Sequence, residues 1–296
     1  FLRCCFSLVL ILSDPANFFT HPACGCYNGP MNDFFFSFGE KTVSGRIQNR
    51  YKRFLADITL DDGRLVVAHV PNSGSMTTCW CPGARVTLTE HPDDGARKLL
   101  YTLQAVEMPD GWVGVNTMNP NRAVAGALAA GMFPELQGYD FLQTEVKAGK
   151  SRFDLCLFNE SASVDASLLQ LKPERAEKLR CNGRPSPGTP SIAVIEIKNA
   201  TMRRDNGVIF PDAVTERGSK HLHHLIELRK AGLRAIMLFF AGRSHTSWVS
   251  PADEIDRAYG GALRAAISAG VEAMAIKVEV SAIGMKIVGT LPVIAG

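Results

Sequence analysis

From about Gly45 to Val115 the chain alternates short β-rich runs with turn signals. The runs are RYKRFLADITL (50–60), GRLVVAHV (63–70), ARVTLTEH (84–91), KLLYTLQAVEM (98–108) and GWVGVNT (111–117), and DDG, NSGS, CPG and PDDG fall between them. β-Branched and aromatic residues favour extended backbone, while Gly, Pro and Asp set tight turns. Short strands packed so densely into about seventy residues fit a small antiparallel barrel of the oligonucleotide-binding (OB) kind. An SH3-like barrel has the same pattern.

The text changes after Asn116. NPNRAVAGALAAGM (119–132) predicts a helix with Asn119 as N-cap, Pro120 at its first position and Gly131 near its end. A hairpin-like pair follows, LQTEVKAG and SRFDLCLF, then a polar segment at 160–190. SIAVIEIKNATM and LRAIMLFFAG are strand-like, PDAVTERGSKHLHHLIELRKAG and PADEIDRAYGGALRAAISAG helix-like, and VEAMAIKVEVSAIGMKIVG supplies two last strands. Strands alternating with helices predict a mixed α/β layer structure. The expected division is therefore an unassigned segment at 1–45, a barrel at 46–116 and a mixed α/β domain at 117–296.

Bulk properties narrow the function little. At 296 residues, with 46% hydrophobic and 21% charged residues, the chain is globular and long enough for two domains. A net charge of +3 tolerates a polyanionic partner without demanding one. The eight cysteines show no zinc spacing and no disulfide framework, so reduced thiols in a cytoplasmic setting are expected. Phe6–Leu12 is apolar but too short to span a bilayer, and no membrane association is expected. The first methionine is Met31, which suggests that the working start lies near it.

VIEIKN (194–199) puts Glu196 and Lys198 two apart on an apolar strand, hence on one face of a sheet. Asp154 lies in the preceding strand, SRFDL. If those strands are neighbours, Asp154, Glu196 and Lys198 converge as the D…E-x-K arrangement of the PD-(D/E)xK nuclease-like fold. Two carboxylates, with the backbone carbonyl of Ile197, suit the hard oxygen coordination of Mg2+ or Mn2+. The lysine then orients water or stabilises charge developing on a phosphate. A cation and a phosphate would also offset the cost of burying these charges. The bland alternative is a solvated Glu–Lys pair at a sheet edge.

RYKRFLAD (50–57), HVPNSGSM (69–76), SRFDL (151–155), EIKN (196–199) and above all FPDAVTERGSKHLHHL (210–225) resemble, in the same order, the sugar fermentation stimulation protein A family. The resemblance runs from about Arg46 to Ser281. It implies an OB-fold domain followed by a PD-(D/E)xK domain, and a DNA-binding protein linked to regulation of sugar, especially maltose, metabolism. The alternative is a Mg2+-dependent nuclease acting on DNA or RNA. Residues 1–45 have no counterpart in that family, and 160–190 is long for the connection it makes.

Further candidates carry less. Nuclease-like domains often draw an extra cation from the helix after the E-x-K strand, and Lys220 is the choice here. Asp212 reads as that helix's N-cap. His221, His223 and His224 read as surface residues, and Glu145 as a further carboxylate near Asp154. Arg50, Lys52 and Arg53 beside Tyr51 suit backbone contact with base stacking, or else an ordinary amphipathic strand. In PNSGS (71–75), Asn72 and Ser73 offer amides and a hydroxyl to a phosphate.

Overall fold

The computed structural model describes residues 33–179 and 188–296. The sequence expectations for Phe6–Leu12, Met31, Cys181 and the cysteines before residue 27 lie outside the described residues. Strand β1 (Phe34–Ser37) leads into the barrel strands β2 (Thr42–Tyr51), β3 (Leu55–Leu60), β4 (Leu65–His69), β5 (Arg85–Glu90) and β6 (Tyr101–Met108), with β7 (Gly111–Gly114) added beside β6. β2 pairs with both β3 and β5, β3 with β4, and β5 with β6. A parallel contact between β4 and β6 closes the ring. This closed five-stranded connectivity is the OB fold, which removes free sheet edges. Ile47, Ile58, Val86, Leu88 and Leu103 fill its interior.

The first predicted run is not one strand. Tyr51 pairs with Leu55 across a hairpin, and Lys52 and Arg53 occupy its turn with φ of 48° and 66°. The barrel's first strand begins at Thr42, inside the segment expected to be unassigned. β1 also corrects that expectation: it pairs antiparallel with the last strand of the second domain, and Phe34 and Phe36 pack against its core. Two flanking aromatics and four backbone pairings tie this short stretch down, although its period is too brief to read.

The second domain runs α1 (Asn119–Ala129), β8 (Phe141–Ala148), β9 (Ser151–Phe158), β10 (Glu177–Lys178), β11 (Ile192–Ala200), β12 (Met202–Arg204), β13 (Gly207–Phe210), α2 (Glu216–Lys230), β14 (Arg234–Ala241), β15 (Val249–Pro251), α3 (Arg257–Ser268), β16 (Glu272–Val280) and β17 (Gly284–Leu291). Its eight-stranded sheet has the order β1-β17-β16-β14-β11-β9-β8-β10, with β11, β14 and β16 parallel. β12, β13 and β15 form a small separate sheet. One apolar layer lies between the sheet and α1, and a second, containing Leu222, Leu225, Tyr259 and Leu263, lies under α2 and α3. β14, at the parallel centre, is buried on both faces and is a continuous hydrophobic run from Ala235 to Ala241.

Helix starts differ from the sequence reading. Asn119 is the first residue of α1, and its amide donates to Gln104 Oε1 instead of capping. α2 begins only at Glu216, capped by Thr215 Oγ1 accepting from the Gly218 amide at 3.0 Å. Asp256 caps α3 through the Tyr259 amide at 2.9 Å. The 160–179 part of the long connection is put to use at the sheet edge: Leu179 N donates to Asp140 O and β10 pairs with β8.

The two domains are bolted together. Asp110, at the β6–β7 turn of the barrel, accepts from Arg203 and Arg243, and Arg243 is only 3% exposed. Gly114 N donates to Gly242 O at 2.8 Å. Asp212 accepts from Ser75 Oγ at 3.3 Å and from the Met76 amide at 3.1 Å. A Cβ on Gly74 would run into the Asp212 carboxylate, so glycine permits this approach. Asp212 is therefore a clasp between the domains and caps no helix.

Candidate functional site

β9 and β11 are antiparallel neighbours in the register Leu155↔Ile195, which brings Asp154 across from Glu196. The sheet is irregular at this point. Glu145, opposite Asp154 on β8, has φ of 54°, and the pair drops out of the β8–β9 ladder. Leu142, Leu155 and Leu157 pack under α1, whereas Val146, Ala148 and Phe153 pack under α2 and α3. Strict alternation would keep Phe153 and Leu155 on one face, so the hairpin reverses its facing at Glu145 and Asp154. Freed from the ladder, the Asp154 carboxylate takes a backbone role: Oδ2 accepts from the Ile197 amide at 2.7 Å, and Oδ1 from Asn121 Nδ2 at 2.7 Å.

Glu196 is 2% exposed, and its Oε1 accepts from Lys198 Nζ at 2.5 Å. The same oxygen bonds His221 Nδ1, and His221 Nε2 faces Arg217 Nε at 3.4 Å. Arginine cannot accept a hydrogen bond, so His221 accepts at Nε2 and donates from Nδ1. Arg217, His221 and Glu196 thus form a chain from the surface to the buried carboxylate. Glu196 Oε2 is buried with no partner, as is Asn199 Oδ1 nearby. Burial, followed by the charge of Glu196, pushes Asp154 up to about 6. Burial also works against ionisation of Glu196, but the His221 hydrogen bond and the Lys198 ammonium outweigh it and hold that carboxyl below its ordinary value. Two neighbouring carboxyls driven apart in this way are a common mark of a working site.

These groups open into a cleft of about 510 Å3 lined by both domains: Asp154, Glu196, Lys198, Arg217 and His221 from one, and Arg53, Asn72, Ser73 and Gly74 from the barrel. Arg50 does not line it. Its guanidinium donates to the carbonyls of Asn72, Gly74 and Ser75, and so holds the loop that does. Tyr51 Oη donates to Asp57 at 3.0 Å and Lys52 is exposed at the hairpin tip, both outside the cleft. Lys220 lies outside as well, 76% exposed and 3.9 Å from Glu216. Glu145 is exposed and faces Arg152 at 3.6 Å. The histidines divide: His221 is buried at the site, against the expectation of a surface residue, His223 is exposed, and His224 bonds Ser151 Oγ at 2.6 Å. Asn121, Arg217 and His221 were missed as site residues.

Among the described residues, no three His, Cys, Asp or Glu side chains form a ready metal cage. What fits a hard cation is narrower: two carboxylates, one with a buried oxygen lacking any partner, beside the backbone of Ile197. Cys79, Cys81 and Cys156 are free thiols. No helix among the described residues is long and apolar enough to cross a membrane.

An OB barrel clasped to a mixed α/β domain, with Asp154, Glu196 and Lys198 in the shared cleft, defines a two-domain class of protein. Within that class the chain belongs to the sugar fermentation stimulation protein family. Residues 49–115 match its N-terminal OB domain, and residues 118–172 and 182–284 match the "Sugar fermentation stimulation protein RE domain". A sugar fermentation stimulation protein homolog from a Synechococcus strain is 35% identical over 269 residues, covering 91% of this chain and 99% of its own. Homologs from Geobacter sulfurreducens and Rhodospirillum rubrum are 41% and 42% identical, each over 86% of this chain. The solved structure of Pyrococcus furiosus SfsA in complex with Ca2+ shares the fold, with a TM-score of 0.72 and 21% identity over 88% of this chain.

Proposed function

We propose that the chain binds DNA in the cleft between its two domains, and that Asp154 and Glu196 hold a Mg2+ or Mn2+ ion there for phosphodiester hydrolysis. The observation that carries this reading is Glu196 Oε2, a carboxylate oxygen buried without a partner beside a second carboxylate and a lysine. A buried acceptor left unsatisfied costs about 1–3 kcal/mol, more when charged, and such groups call for an explanation. A hard cation is one, and the Ca2+ complex of the Pyrococcus furiosus relative involves a cation of the same oxygen-seeking kind. The Ile197 carbonyl is the remaining candidate donor. When bound, the ion would polarise the phosphate and lower the pKa of water.

The side chains of this protein would do the rest. Lys198 stabilises negative charge developing on the phosphate. Asn121 and the Ile197 amide fix the rotation of Asp154, and His221 fixes that of Glu196. Arg53 and the Asn72–Gly74 loop meet the sugar–phosphate chain at the barrel lip. Occupancy of DNA in the cytoplasm would then be the route to the sugar-metabolism role in the family's name. Binding without turnover is the second reading. It is favoured by the Lys198–Glu196 contact, which can stand as a plain ion pair.

The test is incubation of purified protein with labelled single- and double-stranded DNA and RNA in Mg2+, Mn2+ or EDTA. DNA binding, with cleavage lost in EDTA and in Glu196→Gln, is expected. Lys198→Ala should bind the cation yet fail to cleave. Cation binding without cleavage leaves the second reading, and preferential RNA cleavage would replace DNA as the substrate. Calorimetry finding no Mg2+ or Mn2+ binding, with or without DNA, would sink the metal site.

A further inference from the structure

Next to the carboxylate cleft, and lined by no barrel residue, lies a groove of about 330 Å3 between the β8–β9 hairpin and α2. Its walls carry Lys147, Lys150 and Arg152 from the hairpin and Arg217 and Lys220 from the helix. Arg217 and His221 line both concavities, so the groove continues the cleft. Beyond it a third concavity of about 380 Å3 shares Lys147 and Arg152 and adds Lys172 and Arg175. The walls are fixed, because His224 Nδ1 bonds Ser151 Oγ at 2.6 Å and ties the hairpin tip to α2.

Compensating acids are sparse along this path. Arg152 has Glu145 at 3.6 Å and Lys220 has Glu216 at 3.9 Å, both exposed and loose. Among the described residues, no carboxylate lies within ion-pair distance of Lys147, Lys150 or Arg217. A net charge of +3 for the whole chain makes such a local concentration of cations informative. Lysines held beside one another without partners repel, and a polyanion relieves that repulsion. Successive cations along a groove, without an enclosed pocket, suit a repeating phosphate chain and not a single small anion.

We infer that the hairpin–α2 groove is a second phosphate track, carrying the DNA backbone away from the Asp154/Glu196 centre on the side not lined by the barrel. It rests on the proposed DNA-binding function and deepens it. One end of the bound strand would meet Arg53 and the Asn72–Gly74 loop, and the other would follow Arg217, Lys150 and Lys147. Lys220, outside the cleft, finds its role here.

The test is Lys147→Ser/Lys150→Ser/Arg152→Ser, beside a charge-matched control, Lys230→Ser/Arg257→Ser/Lys286→Ser. Duplex binding is followed by fluorescence anisotropy in EDTA across a salt series, and the Mg2+ thermal shift is measured in parallel. The hairpin variant should keep the wild-type melting temperature and Mg2+ shift while its log–log salt slope falls by about 0.9 for each phosphate that it no longer neutralises. The control should keep the wild-type slope. An unchanged slope in the hairpin variant, or an equal fall in the control, overturns the track while leaving DNA binding itself intact. Absence of duplex binding by the wild type overturns both the function and the track.

Discussion

Asp154→Asn separates a metal-site carboxylate from a structural one. In the folded protein without a cation, burial and Glu196 raise the Asp154 carboxyl from 3.8 to about 6. The folded state therefore holds this proton more tightly than the unfolded chain. The resulting penalty is absent below pH 3.8, grows as pH rises through the interval, and is complete above 6. A shift of about two units at 1.36 kcal/mol each makes it about 3 kcal/mol near pH 8. Asparagine carries no charge, and after a flip of the Asn121 amide it can still accept from Ile197 and donate to Asn121. Urea unfolding in EDTA should find the variant about 2–3 kcal/mol more stable than wild type at pH 8, with the gap narrowing as pH falls toward 4. Saturating Mg2+ should close that gap. One site at 100 times its dissociation constant adds about 2.7 kcal/mol to wild type, and the variant should gain almost nothing. A variant less stable than wild type at every pH, with or without Mg2+, would refute the reasoning. Asp154 would then be a carboxylate retained for its two hydrogen bonds.

His221→Ala should weaken Mg2+ affinity 10- to 100-fold by calorimetry, roughly the cost of losing an outer partner of a ligand, while leaving the domain folded. Asp110→Ala leaves the buried Arg243 guanidinium without its carboxylate between the domains and should cost about 1–3 kcal/mol in chemical denaturation, since Arg243 keeps its bonds to the Thr78 and Thr201 carbonyls. Arg50→Ser should lower the melting temperature by freeing the Asn72–Ser75 loop, whereas Arg53→Ser should leave melting unchanged and weaken DNA binding. Removal of residues through Ser37 should destabilise the protein by about 2–5 kcal/mol, because Phe34 and Phe36 leave the core and β17, still paired with β16, becomes an open edge. An unchanged melting temperature in that truncation would mean that β1 contributes no net stability.

The sequence alone determined the division into a barrel and a mixed α/β domain, because both rest on local periodicity and turn chemistry. The β-rich runs at 63–70 and 84–91, and the continuous run of LRAIMLFFAG, survive into β4, β5 and β14 without reinterpretation. The E-x-K pair was equally legible, since a two-residue spacing on a strand fixes a shared face whatever surrounds it. Tertiary structure decided everything that depends on chain segments distant in sequence. It brought Asp154 opposite Glu196 and buried His221 against it, although a histidine on a polar helix gives no local sign of which face is covered. Arg50, read as a nucleic-acid contact, spends its guanidinium on three carbonyls more than twenty residues away. Asp212 fastens to a barrel loop 136 positions earlier and so cannot cap its helix. Periodicity reports which side of an element is apolar, while the partner that satisfies a polar side chain is set by packing between elements.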